Sequence, residues 1–269
     1  MSVDELVKPA PAPAPVRKAA GSLLRERVTD IRHYTDKLFS FRTTRSAGFR
    51  FTSGQFAMIG LEVEGRPLLR AYSMASAYYD DHLEFFSIKV PNGPLTSRLQ
   101  HIKLGDEIVI NPKPTGTLLL GNLRPGRRLF LLCSGTGFAP FGSILRDPDV
   151  YEAFDSVVVV YGCRVAAELA YATNVCLEVR QHELLGEAAD AKLVYYATVT
   201  RKLKDGTFWH SRSEMMNWVL GNANGAGYYV TRYDTALEKK QPIRVMAFGS
   251  SSTVGIGASS HCMVSTKSL

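Results

Sequence analysis

The stretch "RPLLRAYSMAS" (66–76) places a cation, an aromatic ring and a hydroxyl within four residues of a predicted strand, at Arg70, Tyr72 and Ser73. Because alternate residues of a strand share a face, Arg70 and Tyr72 point together, and Ser73 points to the other side unless the chain turns there. A tyrosine can cover a flat ring by stacking, and a nearby arginine can pair with that ligand's phosphates. Taken alone, the pattern is also explained by an ordinary strand in which the arginine is exposed and the tyrosine is half-buried.

Two glycine-containing loops could bind phosphate. "GTGFAP" (135–140) follows an apolar strand and opens a helical pattern, and "IKVPNGPLTSRL" (87–98) places Gly93 before a short helix that includes Thr96 and Ser97. Glycines let the backbone approach a phosphate, and a helix N-terminus supplies free N–H groups and a partial positive charge. For the first loop, a plain tight turn is the alternative.

Two arginines follow predicted strands further along the chain. Arg164 comes after "SVVVVYGC" and Arg201 after "AKLVYYATVT", and no acidic residue directly follows the second of the predicted parallel strands. A planar guanidinium suits the 2′-phosphate of NADP, whereas the ribose 2′-hydroxyl of NAD usually pairs with an acid. The pattern favours NADP over NAD. Two ordinary surface arginines are the alternative.

The elements that must position these residues fall into two groups. Residues from about 23 to 113 read as short strands separated by glycine and proline turns, which is typical of a small β-barrel. The turn-rich "NLRPGRR" (122–128) is followed by apolar strands that alternate with helical patterns, which predicts a parallel sheet covered on both faces. We therefore expect an Ala/Pro-rich disordered tail (1–20), a barrel domain (21–121) and an α/β domain (122–269).

Composition narrows the classes of function. The four cysteines form no CxxC pair and no ferredoxin-type spacing, so neither a zinc site nor an iron–sulfur cluster is expected. No apolar run is long enough for a membrane helix and no secretory signal is visible, so a cytoplasmic protein is expected. The net charge of +7 suits an acidic partner. A nucleic-acid partner is not expected, because no basic patch is interleaved with aromatic residues.

Together, "RAYSMAS", "FFSIKVPNGPLTSRLQ", "KPTGTL", "SGTGFAPF" and "VVYGCR" resemble the short-chain group of bacterial ferredoxin/flavodoxin–NADP(+) reductases, over about residues 25–201. The resemblance implies a six-stranded antiparallel FAD-binding barrel followed by a parallel-sheet NADP-binding domain. It also implies reversible transfer of a hydride from NADPH to FAD and of single electrons to ferredoxin or flavodoxin. A monomer is expected.

The resemblance assigns a role to each motif residue. Arg70 would pair with the FAD pyrophosphate, Tyr72 would stack on the isoalloxazine ring, and Ser73 would hydrogen-bond near flavin N5 and O4, which makes Tyr72 and Ser73 the expected catalytic pair. The other expected cofactor-binding residues are Ala71, Phe86, Ile88, Lys89, Val90, Gly93, Leu95, Thr96, Ser97, Thr136, Gly137, Arg164 and Arg201.

The family pattern stops after Arg201, and Phe248 stands where the family has a late cysteine. Divergence, disorder and a reading-frame error near codon 201 all fit this departure. Two other functions stay open at this point: a reductase that serves an oxygenase, and a flavin-binding redox sensor with impaired turnover.

Overall fold

The computed structural model describes residues 23–123 and 126–199, together with the path of the strand Val245–Gly249. The expected tail (1–20) and Arg201 lie outside the described residues, and nothing is described of the Phe248 side chain. Within the described helices, none is both long and apolar enough to cross a membrane.

The N-terminal part is a six-stranded antiparallel sheet with the order β4-β3-β6-β1-β2-β5. Its strands are β1 (Leu24–His33), β2 (Leu38–Thr44), β3 (Phe56–Val63), β4 (Arg66–Ser73), β5 (His82–Ile88) and β6 (Glu107–Ile110). The alternation in "LFSFRTT" (38–44) predicts that Phe39 and Phe41 share one face of a strand, with Ser40 on the other. This is confirmed, because Phe39 and Phe41 are buried in the barrel core while Ser40 shares a hydrogen bond with Tyr34.

The sequence "GQFAMIGLEVEGRPLLRAYSM" (54–74) predicts two strands joined at Glu64 and Gly65. The structure confirms this turn between β3 and β4, where Glu64 and Gly65 have positive φ angles of 52° and 70°. Two successive residues with positive φ form the tight hairpin turn that matches the twist of antiparallel strands. The turn fixes the register in which Ser73 lies opposite Phe56 and Tyr72 opposite Ala57. The predicted helix after Gly93 is short: α1 covers Thr96–Leu99.

The C-terminal part is a parallel four-stranded sheet with the order β10-β7-β8-β9. Its strands are β7 (Arg128–Ser134), β8 (Ser156–Cys163), β9 (Leu193–Val199) and β10 (Val245–Gly249), and its helices are α2 (Ala139–Leu145), α3 (Pro148–Ala153), α4 (Ala170–Gln181) and α5 (Gly186–Lys192). A 3-10 turn, Gly135–Phe138, joins β7 to α2; we call it the GTGF turn.

Two sequence expectations for this part are wrong. The spacing in "AELAYATNVCLEVRQHELL" (167–185) predicts a helix that reaches Leu185, but α4 ends at Gln181. The pattern "AKLVYYATVT" (191–200) predicts a strand from Ala191, but β9 begins at Leu193. β9 begins late because Ala191 and Lys192 belong to α5, a helix that the sequence pattern did not reveal although its alanine, glutamate and lysine residues favour helix. The strand is also less buried than expected, because among the described strands β9 has a neighbour on one side only, and Val194 is 42% exposed.

The two sheets share buried side chains. One hydrophobic cluster, which we call the shared core, lies mostly between β7, β8 and the helices, but it includes Leu38, Ala75 and Phe86 from the N-terminal part. The expected domain boundary between residues 121 and 122 falls inside a 3-10 turn, Leu120–Asn122. The boundary stays a prediction.

Candidate functional site

The edge strand β4 carries the first group of expected site residues. From Leu68 to Ser73 every residue is half-buried. Both faces of this end of the strand are therefore partly accessible, unlike the faces of a strand in the core. Beyond it, the backbone N–H of Ala75 donates to the Glu84 carbonyl at 2.8 Å, which ties the end of β4 to β5. Because β4 and β5 are the two edges of the sheet, this bond lies at the seam where the barrel closes.

Tyr72 is held across the same seam. Its hydroxyl lies 2.9 Å from the Ser87 hydroxyl on β5, and its ring meets Phe85 edge-on at 6.3 Å and 88°. Burial raises the pKa of the Tyr72 hydroxyl, and the hydrogen bond with Ser87 lowers it by less. The phenol therefore stays neutral at physiological pH, with its ring in one orientation.

Arg70 is a half-buried cation whose Nη1 donates to the carbonyl of its own neighbour Leu69 at 2.7 Å. Within the part of the chain that the structure describes, no carboxylate forms an ion pair with it. Partly buried charges normally have a partner of opposite sign, so the side chain suits an anionic ligand.

The loop after β5 forms a second part of the site. Lys89 and Val90 are half-buried, and the Thr96 hydroxyl donates to the Val90 carbonyl at 3.2 Å. A Cβ on Gly93 would overlap the Thr96 oxygen and lie 3.3 Å from Val90 Cβ, so only glycine fits the loop as it stands. The Ser97 N–H is already bonded to the Gly93 carbonyl at 3.1 Å. The loop is a tight cradle of the kind that brings backbone close to a phosphate.

The GTGF turn lies against β5 as well as against β7, β8 and β10. Gly135 has a φ of 52°, Thr136 is half-buried, and Gly137 is buried. Phe138 is fully buried and meets the Tyr171 ring edge-on at 5.9 Å. Phe138 therefore anchors the turn to the shared core while leaving the Thr136 side chain partly accessible.

Arg164 directly follows β8, at the same carboxyl edge of the parallel sheet as the GTGF turn. This is the edge at which nucleotides bind to open α/β sheets. Its side chain is exposed, and its backbone N–H donates to Glu168 at 2.8 Å. Thr198, near the end of β9, has a buried hydroxyl with no hydrogen-bond partner in the described part of the chain.

Some expected cofactor-binding residues present little side chain to a ligand. Phe86 is 2% exposed and stacks on Tyr171 at 4.0 Å, and Leu95 is 1% exposed in the barrel core. Ile88 packs against the shared core. Any contact of Phe86 or Leu95 with a ligand in this arrangement would come from the backbone.

The sequence reasoning missed a buried polar network between the two sheets. It is centred on Glu84, which receives both Nε and Nη2 of Arg42, at 3.0 and 2.9 Å, and the Tyr171 hydroxyl at 2.7 Å. Arg146 approaches it at 3.8 Å. The sequence feature that could have revealed this network is the glutamate inside the apolar run "HLEFFSI". A glutamate in a buried strand requires hydrogen-bonding or charged partners.

Residues 26–118 match the family model for the oxidoreductase FAD-binding domain. The chain is 56% identical over 181 residues to a ferredoxin–NADP reductase from Pseudomonas aeruginosa, over 67% of this chain and 70% of that protein. It is 58% identical over 177 residues to one from Azotobacter vinelandii, over 66% of this chain and 69% of that protein.

Among solved structures, a ferredoxin NADP+ reductase from Neisseria gonorrhoeae with bound FAD and NADP matches with a TM-score of 0.66 and 26% identity. The match covers 85% of this chain and 84% of that chain. The predicted fold class, a β-barrel followed by an α/β domain, is confirmed, and so is the predicted class of oxidoreductase. The chain belongs to the ferredoxin–NADP reductase family.

Proposed function

We propose that this chain oxidises NADPH with a bound FAD and passes the electrons singly to an acidic carrier, a ferredoxin or a flavodoxin, and that the transfer is reversible. The observation that carries the proposal is the pair on β4. Arg70 is a half-buried cation without a carboxylate partner in the described residues, and two positions away Tyr72 presents a ring whose orientation is fixed by Ser87. A ligand with a flat ring and a pyrophosphate satisfies both side chains.

The residues present fit FAD. Arg70 would hold the pyrophosphate together with the loop between Gly93 and Thr96, where glycine is required. Tyr72 would cover the ring, and Ser73, at the end of β4, would donate a hydrogen bond at the ring edge. Lys89, Val90, Ser97 and the backbone of Phe86, Ile88, Leu95 and Ala71 would line the rest of the ligand.

Bound FAD supplies the chemistry that no side chain can supply, accepting a hydride and releasing electrons one at a time. The protein's part is to hold the two reactants in line. Thr136 and Gly137 in the GTGF turn would bind the nicotinamide half of NADPH, and the turn lies against β5, which adjoins the flavin strand. The neutral Tyr72 hydroxyl adds no charge to the site.

Preference for NADPH over NADH would come from arginine. Arg164 is exposed at the carboxyl end of β8, free to reach a 2′-phosphate, and Arg201 would be its partner. Acidic carriers would be attracted by the net charge of +7, which raises the rate of encounter at low ionic strength.

The test is FAD retention by Arg70→Ala. We expect the variant to fold and to lose most of its FAD on gel filtration, because removal of a charge-assisted pair with phosphate costs about 1.5–3 kcal/mol, or about tenfold to a hundredfold in affinity. Arg66→Ala is the matched control, since Arg66 is an exposed arginine on the same strand. Equal retention of FAD by both variants would refute the role of Arg70.

A second assay identifies the carrier. NADPH-driven reduction of cytochrome c is measured with no carrier, with flavodoxin and with ferredoxin. We expect either carrier to accelerate the reaction and the acceleration to fall as salt is raised. No acceleration by any carrier would refute this part of the proposal.

A further inference from the structure

We propose that Arg146 is a positioning residue for hydride transfer, because it fixes the helix that follows the GTGF turn to the end of the flavin strand. The inference rests on the proposed function. The residue itself touches neither expected reactant. It acts through the segments to which they would bind.

The guanidinium of Arg146 reaches both sides of the boundary between the sheets. Nη1 donates to the carbonyl of Ala75 at 2.6 Å, in the chain just beyond β4. Nε and Nη2 form a fork with the Glu178 carboxylate on α4, at 3.3 and 2.9 Å. The Arg146 side chain is only 6% exposed and its bond to Ala75 is buried, whereas the Glu178 side chain in the fork is 51% exposed.

The position of Arg146 in the chain explains why this matters. Arg146 caps the C-terminus of α2, whose first residue directly follows the GTGF turn. Ala75 lies two residues beyond Ser73, and its N–H bonds to the Glu84 carbonyl at the barrel seam. One side chain thus connects the expected nicotinamide loop to the expected flavin strand through a single seven-residue helix.

Further contacts hold Arg146 in place. The Tyr79 hydroxyl donates to the Arg146 carbonyl at 2.9 Å, and Glu84 lies 3.8 Å from Nη2. Burial alone would lower the pKa of Arg146, but Glu84, Tyr171 and Glu178 raise it, so the guanidinium is permanently charged. A guanidinium with three partners, on a residue whose backbone carbonyl is also bonded, resists displacement. A misplacement of about 1 Å can cost about a hundredfold in rate.

The experiment compares wild type with Arg146→Lys by anaerobic stopped flow. A lysine keeps the charge but cannot form the fork. We expect the limiting rate of flavin reduction at saturating NADPH to fall about tenfold to a hundredfold. The half-saturating NADPH concentration, the FAD content and the reoxidation of dithionite-reduced flavin by ferricyanide should stay within about twofold. A general loss of structure would change all four readouts.

Arg127→Lys is the matched control, because Arg127 forms an ion pair with Asp155 at 2.8 Å but its side chain is 90% exposed. Exposed pairs contribute little, so its rate should equal that of wild type. Glu178→Ala provides a second variant in case Arg146→Lys fails to fold. This variant removes the carboxylate that pairs with Arg146. Because the Glu178 side chain is half exposed, we expect a smaller effect, a fall in the limiting rate of at least threefold.

The inference is overturned if Arg146→Lys reduces its flavin at the wild-type rate. If that variant does not fold, a wild-type rate in Glu178→Ala overturns it. Failure of the proposed function is a different result, since wild-type protein loaded with FAD would then show no reduction by NADPH.

Discussion

The hydroxyl groups of Tyr72 and Ser87 lie 2.9 Å apart and join the two edge strands of the six-stranded sheet. Ser87 is 1% exposed, so the bond is shielded from solvent on the β5 side. The same hydrogen bond therefore helps to close the barrel and orients the Tyr72 ring. A residue expected to form the flavin platform is positioned by the fold before any ligand binds.

This contact can be measured by a double-mutant cycle of Tyr72→Phe and Ser87→Ala. Each single variant leaves a hydroxyl without its partner and should lower the free energy of unfolding by about 1–3 kcal/mol. The double variant should lose less than the sum, with a coupling free energy of about 1 kcal/mol in urea denaturation. Additive losses would mean that the two hydroxyls do not interact in solution.

The Gly93 loop gives a prediction about ligand binding. Gly93→Ala places a methyl group against the Thr96 hydroxyl and should displace the bond between Thr96 and the Val90 carbonyl. We expect FAD affinity, measured by fluorescence titration, to fall by about tenfold, the effect of about 1.4 kcal/mol.

Gly48→Ala is the control for this loop, because a Cβ there meets nothing within 4 Å. It should bind FAD as wild type does. If Gly93→Ala also binds with wild-type affinity, the loop does not form the pyrophosphate cradle.

Glu84 predicts a dependence of stability on pH. Burial raises the pKa of its carboxyl, but Arg146, Arg42 and the Tyr171 hydroxyl outweigh burial and hold the pKa below its usual value of 4.5. Because the folded state has the lower pKa, the contribution of Glu84 is complete above pH 4.5 and is lost as the pH falls through the folded pKa. Glu84→Gln should cost about 3 kcal/mol at neutral pH.

The measurement is urea denaturation of wild type and Glu84→Gln across this range. The difference in unfolding free energy between them should shrink as the pH falls below 4.5. Glu183→Gln, at an exposed position, controls for the loss of a carboxylate in general. A difference between wild type and Glu84→Gln that is constant with pH would contradict the assignment.

Phe86 tests the shared core. Its ring stacks on Tyr171 at 4.0 Å with an interplanar angle of 19°, so one side chain of β5 packs directly on α4. Phe86→Ala should lower the unfolding free energy by about 3–5 kcal/mol, the usual cost of removing a buried phenylalanine. Leu184→Ala, at a residue that is 84% exposed, should change it by less than about 0.5 kcal/mol. Similar losses in the two variants would show that Phe86 is not packed as described.

Much of the fold could be predicted from local pattern. The alternation in "LFSFRTT" predicted that Phe39 and Phe41 share one face of β2, and the Glu64–Gly65 pair predicted a hairpin turn, because both features depend on near neighbours. The helix α5 was missed because its seven residues are too few for a clear helical period, and it directly precedes a strand.

Only those parts of the candidate site whose residues lie in one segment of the chain could be predicted. Arg70, Tyr72 and Ser73 are adjacent in the chain, so their spacing was visible. The bonds from Tyr72 to Ser87 and from Arg146 to Ala75 join residues far apart in sequence, and only the closure of the barrel and the packing of α2 bring them together. A short-range pattern contains no information about such pairs.

The most direct test of the account is an anaerobic titration of the purified, FAD-loaded protein with NADPH and, separately, with NADH, followed by the visible absorption of the flavin. We predict a bound flavin that NADPH bleaches rapidly and to completion, with NADH slower at equal concentration. A protein that stays colourless after FAD is added, or a bound flavin that NADPH leaves oxidised, would contradict the central claim.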